Sequence, residues 1–114
     1  MDEVIVRNLF SSSEKQTLYQ VMCAVRSIGS HHLSEKEKHI HQLMRVLNIS
    51  SYDQQASRTL TQLQMTSIMK GMEDVKKLYF AKFLSQTALI GGLSEKESLF
   101  LNWLFSEINI PSNP

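Results

Sequence analysis

The chain has 114 residues, of which 42% are hydrophobic and 20% are charged, so it can form one domain with a buried core. Twelve Lys and Arg balance eleven Asp and Glu without a basic stripe, and we therefore expect no nucleic-acid partner. Because Cys23 is the single cysteine, no intramolecular disulfide can form. The sequence has neither a secretory signal nor an apolar stretch of about 18 residues, so we expect a cytoplasmic protein without membrane insertion.

The N-terminal part of the chain predicts a short helix followed by a long one. Residues 4–10 favour a short helix that packs Ile5 and Leu9 onto the body. Three serines end it, and Ser13 with Gln16 is spaced to cap the next helix. The apolar residues of that next helix recur at steps of three and four, which is typical of one buried helix face: Leu18, Val21, Met22, Val25 and Ile28.

Two shorter helices are predicted in the middle of the chain. Gly29 is expected to end the long helix in a left-handed conformation, and Ser34 to begin the next one. That helix again shows the helical spacing, with Ile40, Leu43, Met44 and Leu47 on one face. Ser51 with Gln54 then predicts a cap for a weaker amphipathic helix.

The second half of the chain predicts two further long helices. Residues 72–90 carry apolar side chains around more than one face, which indicates the central helix of the fold. Gly91 and Gly92 end it. A last helix carries apolar residues from Leu99 to Ile108, and residues 111–114 are expected to form a frayed tail.

The pentapeptide Leu-Ser-Glu-Lys-Glu occurs twice, at Leu33–Glu37 and at Leu93–Glu97. Because Ser-x-x-Glu ahead of a helical pattern is a capping box, Ser34 and Ser94 are both predicted to be N-caps. Each copy follows a long predicted helix, which indicates two pseudo-repeated helical hairpins. The sequence therefore predicts an all-α, compact single-domain helical bundle of about five to seven helices across residues 1–114.

The turns at residues 29–37 and 89–97 resemble those of the tellurite-resistance TerB-like family. The resemblance covers roughly residues 14–110 and implies the helical fold of that family, with a core over this range. It also implies a non-enzymatic cytoplasmic module for protein interaction or stress response.

The same resemblance implies a divalent-metal sensor as the alternative function. Family members gather turn aspartates and capping glutamates into an acidic patch suited to divalent cations. In this chain Ser30 and Ile90 occupy the aspartate positions, and only Glu37 and Glu97 match the acidic ones.

A second candidate metal site lies around the first turn. Glu35 and His39 are four residues apart and share one helix face, one turn from His31 or His32. Imidazole and carboxylate ligands suit zinc or nickel, whereas neither turn matches a calcium-binding EF-hand. Solvated surface histidines are the alternative interpretation, and a pH-sensitive association is another.

Two aromatic residues predict an interface. Phe80 and Phe105 fall off the main apolar stripes and are expected to be exposed, where they would contact a protein partner or a second copy in a homodimer. No nucleophile elbow, phosphate-binding loop or pairing of base and nucleophile is recognisable. We therefore expect no enzymatic activity and no cofactor.

Overall fold

The computed structural model describes residues 6–29 and 31–110, and these residues form α-helices and turns without a strand. The all-α fold is thereby confirmed. Ile5 and the predicted frayed tail lie outside the described residues. The helices are α1 (Ser12–Gly29), α2 (Leu33–Leu47), α3 (Ser51–Ser57), α4 (Gln62–Lys70), α5 (Asp74–Leu89) and α6 (Glu95–Glu107).

The first long helix, α1, is the centre of the bundle. It packs against each of the other five helices, and Leu18 and Met22 on its apolar stripe are fully buried. The prediction that residues 72–90 form the central helix is wrong, because α5 packs mainly against α1, α2 and α6. Val75 and Leu89 are 56% and 57% exposed, so the broad apolar pattern of α5 includes an outward face.

The N-terminal segment before α1 covers part of α5. Phe10 is buried and lies edge to face with Phe80 and Phe83, at ring-centroid distances of 6.3 and 6.4 Å. Phe80 is consequently fully buried, and the prediction that it is exposed is wrong. Its position off the main stripe of α5 is explained by the extra layer that Phe10 provides.

Two helices begin with capping boxes close to the predicted positions. At the start of α1, the Ser11 N–H donates to Glu14 Oε1 at 2.8 Å and the Glu14 N–H donates to Ser11 Oγ at 3.3 Å. Ser50 and Asp53 form the same reciprocal pair at α3. The predicted caps lie one or two residues too late, because each serine-rich run offers several residues that can cap.

The described residues form a nearly isometric body, with extents of 31, 31 and 30 Å and a Cα radius of gyration of 13.2 Å. Its buried apolar side chains come from the N-terminal segment, from every helix except α3, and from residues that follow helix ends, such as Ile49 and Ile108. None of the helices in the described ranges has the length and apolar character needed to cross a membrane.

Candidate functional site

The two copies of the repeated pentapeptide meet through a buried ion pair. Lys36 of the first copy donates from Nζ to Glu97 Oε2 of the second copy at 2.7 Å, and both side chains are completely buried. A charge removed from water is strongly unfavourable without a partner, so each of these charges depends on the other. The pair joins the start of α2 to the start of α6.

Glu97 also completes the predicted capping box of α6. The Ser94 N–H donates to Glu97 Oε1 at 3.1 Å, and the Glu97 N–H donates to Ser94 Oγ at 3.1 Å. Burial alone would raise the pKa of Glu97, but the hydrogen bonds from Lys36 and Ser94 and the Lys36 charge lower it below its ordinary value. Both carboxylate oxygens therefore accept hydrogen bonds in the ionised state.

The capping box predicted for the first copy does not form. His32 adopts a left-handed conformation with φ of 50° and is the N-cap of α2, which begins at Leu33. Ser34 is thus already inside the first turn, where its side chain is not placed to cap. Glu37 is exposed, and its Oε1 lies 3.8 Å from Nη1 of Arg26.

Gly29, the last residue of α1, leaves the space that the ion pair occupies. A Cβ at this position would overlap Lys36 Nζ and lie 2.7 Å from Glu97 Oε2. The expected left-handed conformation of Gly29 is wrong, since the glycines with positive φ in the described residues are Gly91 and Gly92. Glycine is required here by close approach of side chains rather than by backbone conformation.

The His31 side chain joins the two turns beside the ion pair. Its Nδ1 lies 2.6 Å from the Gly29 carbonyl oxygen, and its Nε2 lies 3.0 Å from the Gly92 carbonyl oxygen. Nε2 is also 3.8 Å from Glu97 Oε1. A neutral imidazole donates one of these hydrogen bonds and an imidazolium donates both. The ring therefore contributes to holding α1, α2 and α6 together at this junction.

The residues predicted as metal ligands are not gathered into one site. His32 Nδ1 lies 3.8 Å from Glu35 Oε2. Glu37 is on the exposed side of α2, whereas Glu97 is buried in the ion pair with Lys36. His39 is half-buried; burial lowers its pKa, and its Nε2 has no hydrogen-bond partner within residues 6–29 and 31–110. Among the described residues, no group of three or more His, Cys, Asp or Glu is placed to hold a metal ion. The contacts observed at the junction, the Lys36–Glu97 pair and the His31 hydrogen bonds, link the ends of neighbouring helices.

An apolar groove lies elsewhere on the surface, between α1, α4 and α6. Its volume is about 500 Å³, and none of the side chains that line it is charged. Met65 and Met69 come from α4, Phe100 and Trp103 come from α6, and α1 contributes Cys23. The neutral polar residues of the lining carry only amide and hydroxyl groups. This chemistry suits an apolar ligand surface.

The sequence alone does not reveal the groove, because the helical spacing of the aromatic residues in α6 favours a place in the core. Trp103 is instead 50% exposed, with its ring centroid 6.2 Å from that of Phe100. One feature of the sequence does indicate an apolar surface on α6: its apolar residues cover more than one helix face and include the exposed Leu99. Phe105 is partly buried and packs against the core, so the expected exposed patch of Phe80 and Phe105 does not form.

These features define the protein as an all-α bundle with a buried ion pair and an open, uncharged groove. Comparison with protein-family models, curated proteins and solved structures gives no match to the chain. The TerB-like resemblance and the predicted hairpin repeat therefore stay predictions. Function has to be argued from the surface of this chain, because a helical bundle by itself implies no particular activity.

Proposed function

We propose that the protein is a non-enzymatic interaction module that binds an amphipathic helix of a protein partner in the α1–α4–α6 groove. The observation that carries the proposal is the wholly uncharged lining around Met65, Met69, Phe100 and Trp103. An uncharged groove favours an occupant that presents apolar side chains and disfavours one that buries a charge.

The side chains of the groove are of the types that dominate helix recognition. Tryptophan is enriched among residues that contribute most to binding, and a half-exposed Trp103 gains contact area when it is covered. Met65 and Met69 are flexible and polarisable, so they adapt to the side chains of an incoming helix. These features favour insertion of several apolar residues from one helix face.

The secondary structure around the groove favours a helical occupant over an extended one. Extended peptides that bind through main-chain hydrogen bonds add to an exposed sheet edge, but all three elements that line this groove are helices. Their backbone groups are satisfied within each helix, so binding has to depend on side-chain contacts. An amphipathic helix presents such contacts at steps of three and four residues.

The walls of the groove are attached to the bundle mainly through α1, against which both α4 and α6 pack. An exposed ion pair between Lys70, at the end of α4, and Glu107, at the end of α6, has 3.4 Å between Nζ and Oε1 and adds about 1 kcal/mol or less. Because α1 is the central helix, the third wall is also fixed by packing. A preformed groove loses less conformational entropy on binding, which supports recognition of a partner.

The intrinsic fluorescence of Trp103 provides a direct test, because it is the only tryptophan in the chain. The probes are tryptophan-free helical peptides of one composition, either with leucines on one face or with the same residues scrambled. We expect a saturable blue shift with the amphipathic peptide and none with the scrambled peptide, because only the former covers the indole with an apolar face.

A pair of α4 variants supplies the control. Met65→Lys places a charge in the groove and should weaken binding by at least about tenfold. Leu63→Lys makes the same change at a side chain that is 80% exposed and outside the groove, and should bind as the native protein does. Equal binding by the two variants, or a concentration-dependent dimer that Met65→Lys dissociates, would contradict the proposal of a separate partner helix.

A further inference from the structure

A second depression, unrelated to the apolar groove, lies where the N-terminal segment meets the C-terminal half of α2. Its volume is about 860 Å³, and its lining includes Arg7, His41, Met44, Arg45 and Ile49. No Asp or Glu is among the lining residues. The chain as a whole has a formal net charge of only +1, so this concentration of basic groups is local.

The basic side chains of α2 in this depression have no partner among the described residues. Arg45 and His41 are four residues apart on α2 and therefore share one helix face. Neither forms a hydrogen bond or an ion pair with a described residue through its side chain, and in this they are like other exposed basic side chains such as Lys82 and Lys96. What is particular to His41 and Arg45 is that both line the same depression.

The end of α2 explains some of the nearby positive charge but not all of it. Arg7 Nη2 donates to Asn48 Oδ1 at 3.3 Å, and Lys15 Nζ donates to the Asn48 carbonyl oxygen at 3.3 Å. The Lys15 contact is expected at a helix C-terminus, where the carbonyl groups attract cations, whereas Arg7 contacts the side-chain amide of the C-cap residue. Arg45, in the last turn of α2, and His41 make neither contact and are exposed, so both can reach an anion from solution.

We propose that this depression binds the phosphate group of an apolar organic phosphate. The guanidinium groups of Arg7 and Arg45 supply charge-assisted hydrogen bonds to the phosphate oxygens, and the His41 ring adds a nitrogen donor. Met44, which is partly buried, provides the apolar surface for the organic part of the ligand. The phosphate ester can belong to a free small molecule or to a phosphorylated side chain of another protein.

Phenyl phosphate and inorganic phosphate are suitable probes, titrated at constant ionic strength into ¹⁵N-labelled protein. We expect saturable shifts of backbone amide signals in the C-terminal half of α2, with tighter binding of phenyl phosphate because its ring contacts the apolar surface. Equal affinity for the two probes, or shifts without saturation, would overturn the proposal. A phosphotyrosine peptide in a parallel titration separates the two sources: tighter binding than phenyl phosphate indicates a phosphorylated protein, and weaker binding a small molecule.

Charge-matched variants distinguish this site from general attraction of anions. Arg45→Gln should weaken phenyl phosphate binding by at least about tenfold, because a charge-assisted hydrogen bond is lost. Lys82→Gln on α5 removes the same charge from an exposed side chain outside the depression and should leave the affinity unchanged. A similar loss in both variants would mean that the phosphate responds only to net charge. Circular dichroism establishes that both variants fold.

Discussion

The two copies of Leu-Ser-Glu-Lys-Glu have the same sequence but opposite patterns of burial. Lys36 is completely buried in the first copy, while the corresponding Lys96 is exposed in the second. The glutamates are reversed, since Glu37 is exposed and Glu97 is completely buried. The buried residue of each copy is the partner of the other, so one ion pair results from two identical segments.

This contrast shows that a local sequence leaves the role of a side chain open until tertiary packing decides it. The left-handed His32 starts α2 at Leu33, whereas Ser94 caps α6 and leaves helix formation to begin at Glu95. The helix consequently begins two positions earlier in the first copy than in the second, so the two copies have different helical registers. Different register changes which residue of each copy faces the protein interior, because successive residues on a helix point about 100° apart.

Removing the buried lysine should have the largest effect. Lys36→Met leaves the carboxylate of Glu97 buried without its cation, and we expect the free energy of unfolding to fall by about 3–5 kcal/mol. Lys96→Met changes an exposed residue of the other copy and should stay within about 0.5 kcal/mol of the native protein. Urea denaturation followed by circular dichroism measures both.

The double variant Lys36→Met/Glu97→Gln makes this test sharper. It removes both charges, and the amide oxygen of the introduced glutamine still accepts a hydrogen bond from the Ser94 N–H, so much of the lost stability should return. If Lys36→Met were as mild as Lys96→Met, the lysine would not be paired in the interior.

Substitution of the residue before each turn extends the comparison. Gly29→Ala should destabilise the protein by about 1–3 kcal/mol, because the new methyl group meets Lys36 and Glu97. This loss is expected even though alanine is favoured over glycine in helices by about 1 kcal/mol. Leu89 holds the corresponding place sixty residues later and is exposed, so Leu89→Ala should change stability by about 0.5 kcal/mol or less. Thermal unfolding of both variants tests the expected order, and a stabilised Gly29→Ala would contradict the close approach.

Much of the fold could be predicted because its signals are local. The apolar stripe of α1, from Leu18 to Val25, has the spacing of a helix and is buried as expected. The central position of α1 could not be predicted in this way. Apolar residues on several faces of α5 indicate burial, but the pattern does not distinguish a buried face from an exposed apolar one.

The functional surfaces are less predictable because they depend on residues far apart in the chain. Lys36 and Glu97 are separated by 61 positions, and the residues that line the groove come from three helices. The exposure of Phe80 could not be predicted for a related reason, since the covering residue Phe10 belongs to another segment. Sequence periodicity identifies a face of one helix but does not identify its neighbour.

The two copies should also contribute differently to the pH dependence of stability. The lowered pKa of Glu97 means that the folded protein stabilises the ionised carboxylate, so this contribution is present above its ordinary value of 4.5. It is lost as the pH falls through the lowered value in the folded state. We therefore expect the free energy of unfolding to decrease on acidification below about pH 4.5, and Lys36→Met/Glu97→Gln, which leaves no unpaired charge of this pair, to reduce that decrease. Glu37→Gln is the matched control in the first copy.

His39 contributes to the same pH profile in a different range. Because burial lowers its pKa, the folded protein resists protonation and should lose stability as the pH falls below the ordinary value of 6.5. His39→Gln removes this component, so the profile of Glu97 is best measured in that background. An unchanged acid profile in Lys36→Met/Glu97→Gln would be inconsistent with a stabilised carboxylate.

The serines of the two copies provide the smallest and most specific test. Ser94→Ala removes the acceptor of the Glu97 N–H and should lower the free energy of unfolding by about 1 kcal/mol. Ser34 lies inside the first turn of α2, where alanine is a better helix former, so Ser34→Ala should leave stability unchanged or raise it by about 0.5 kcal/mol or less. Equal losses would mean that both serines cap their helices, in which case α2 would begin after Ser34 and the two copies would share one register.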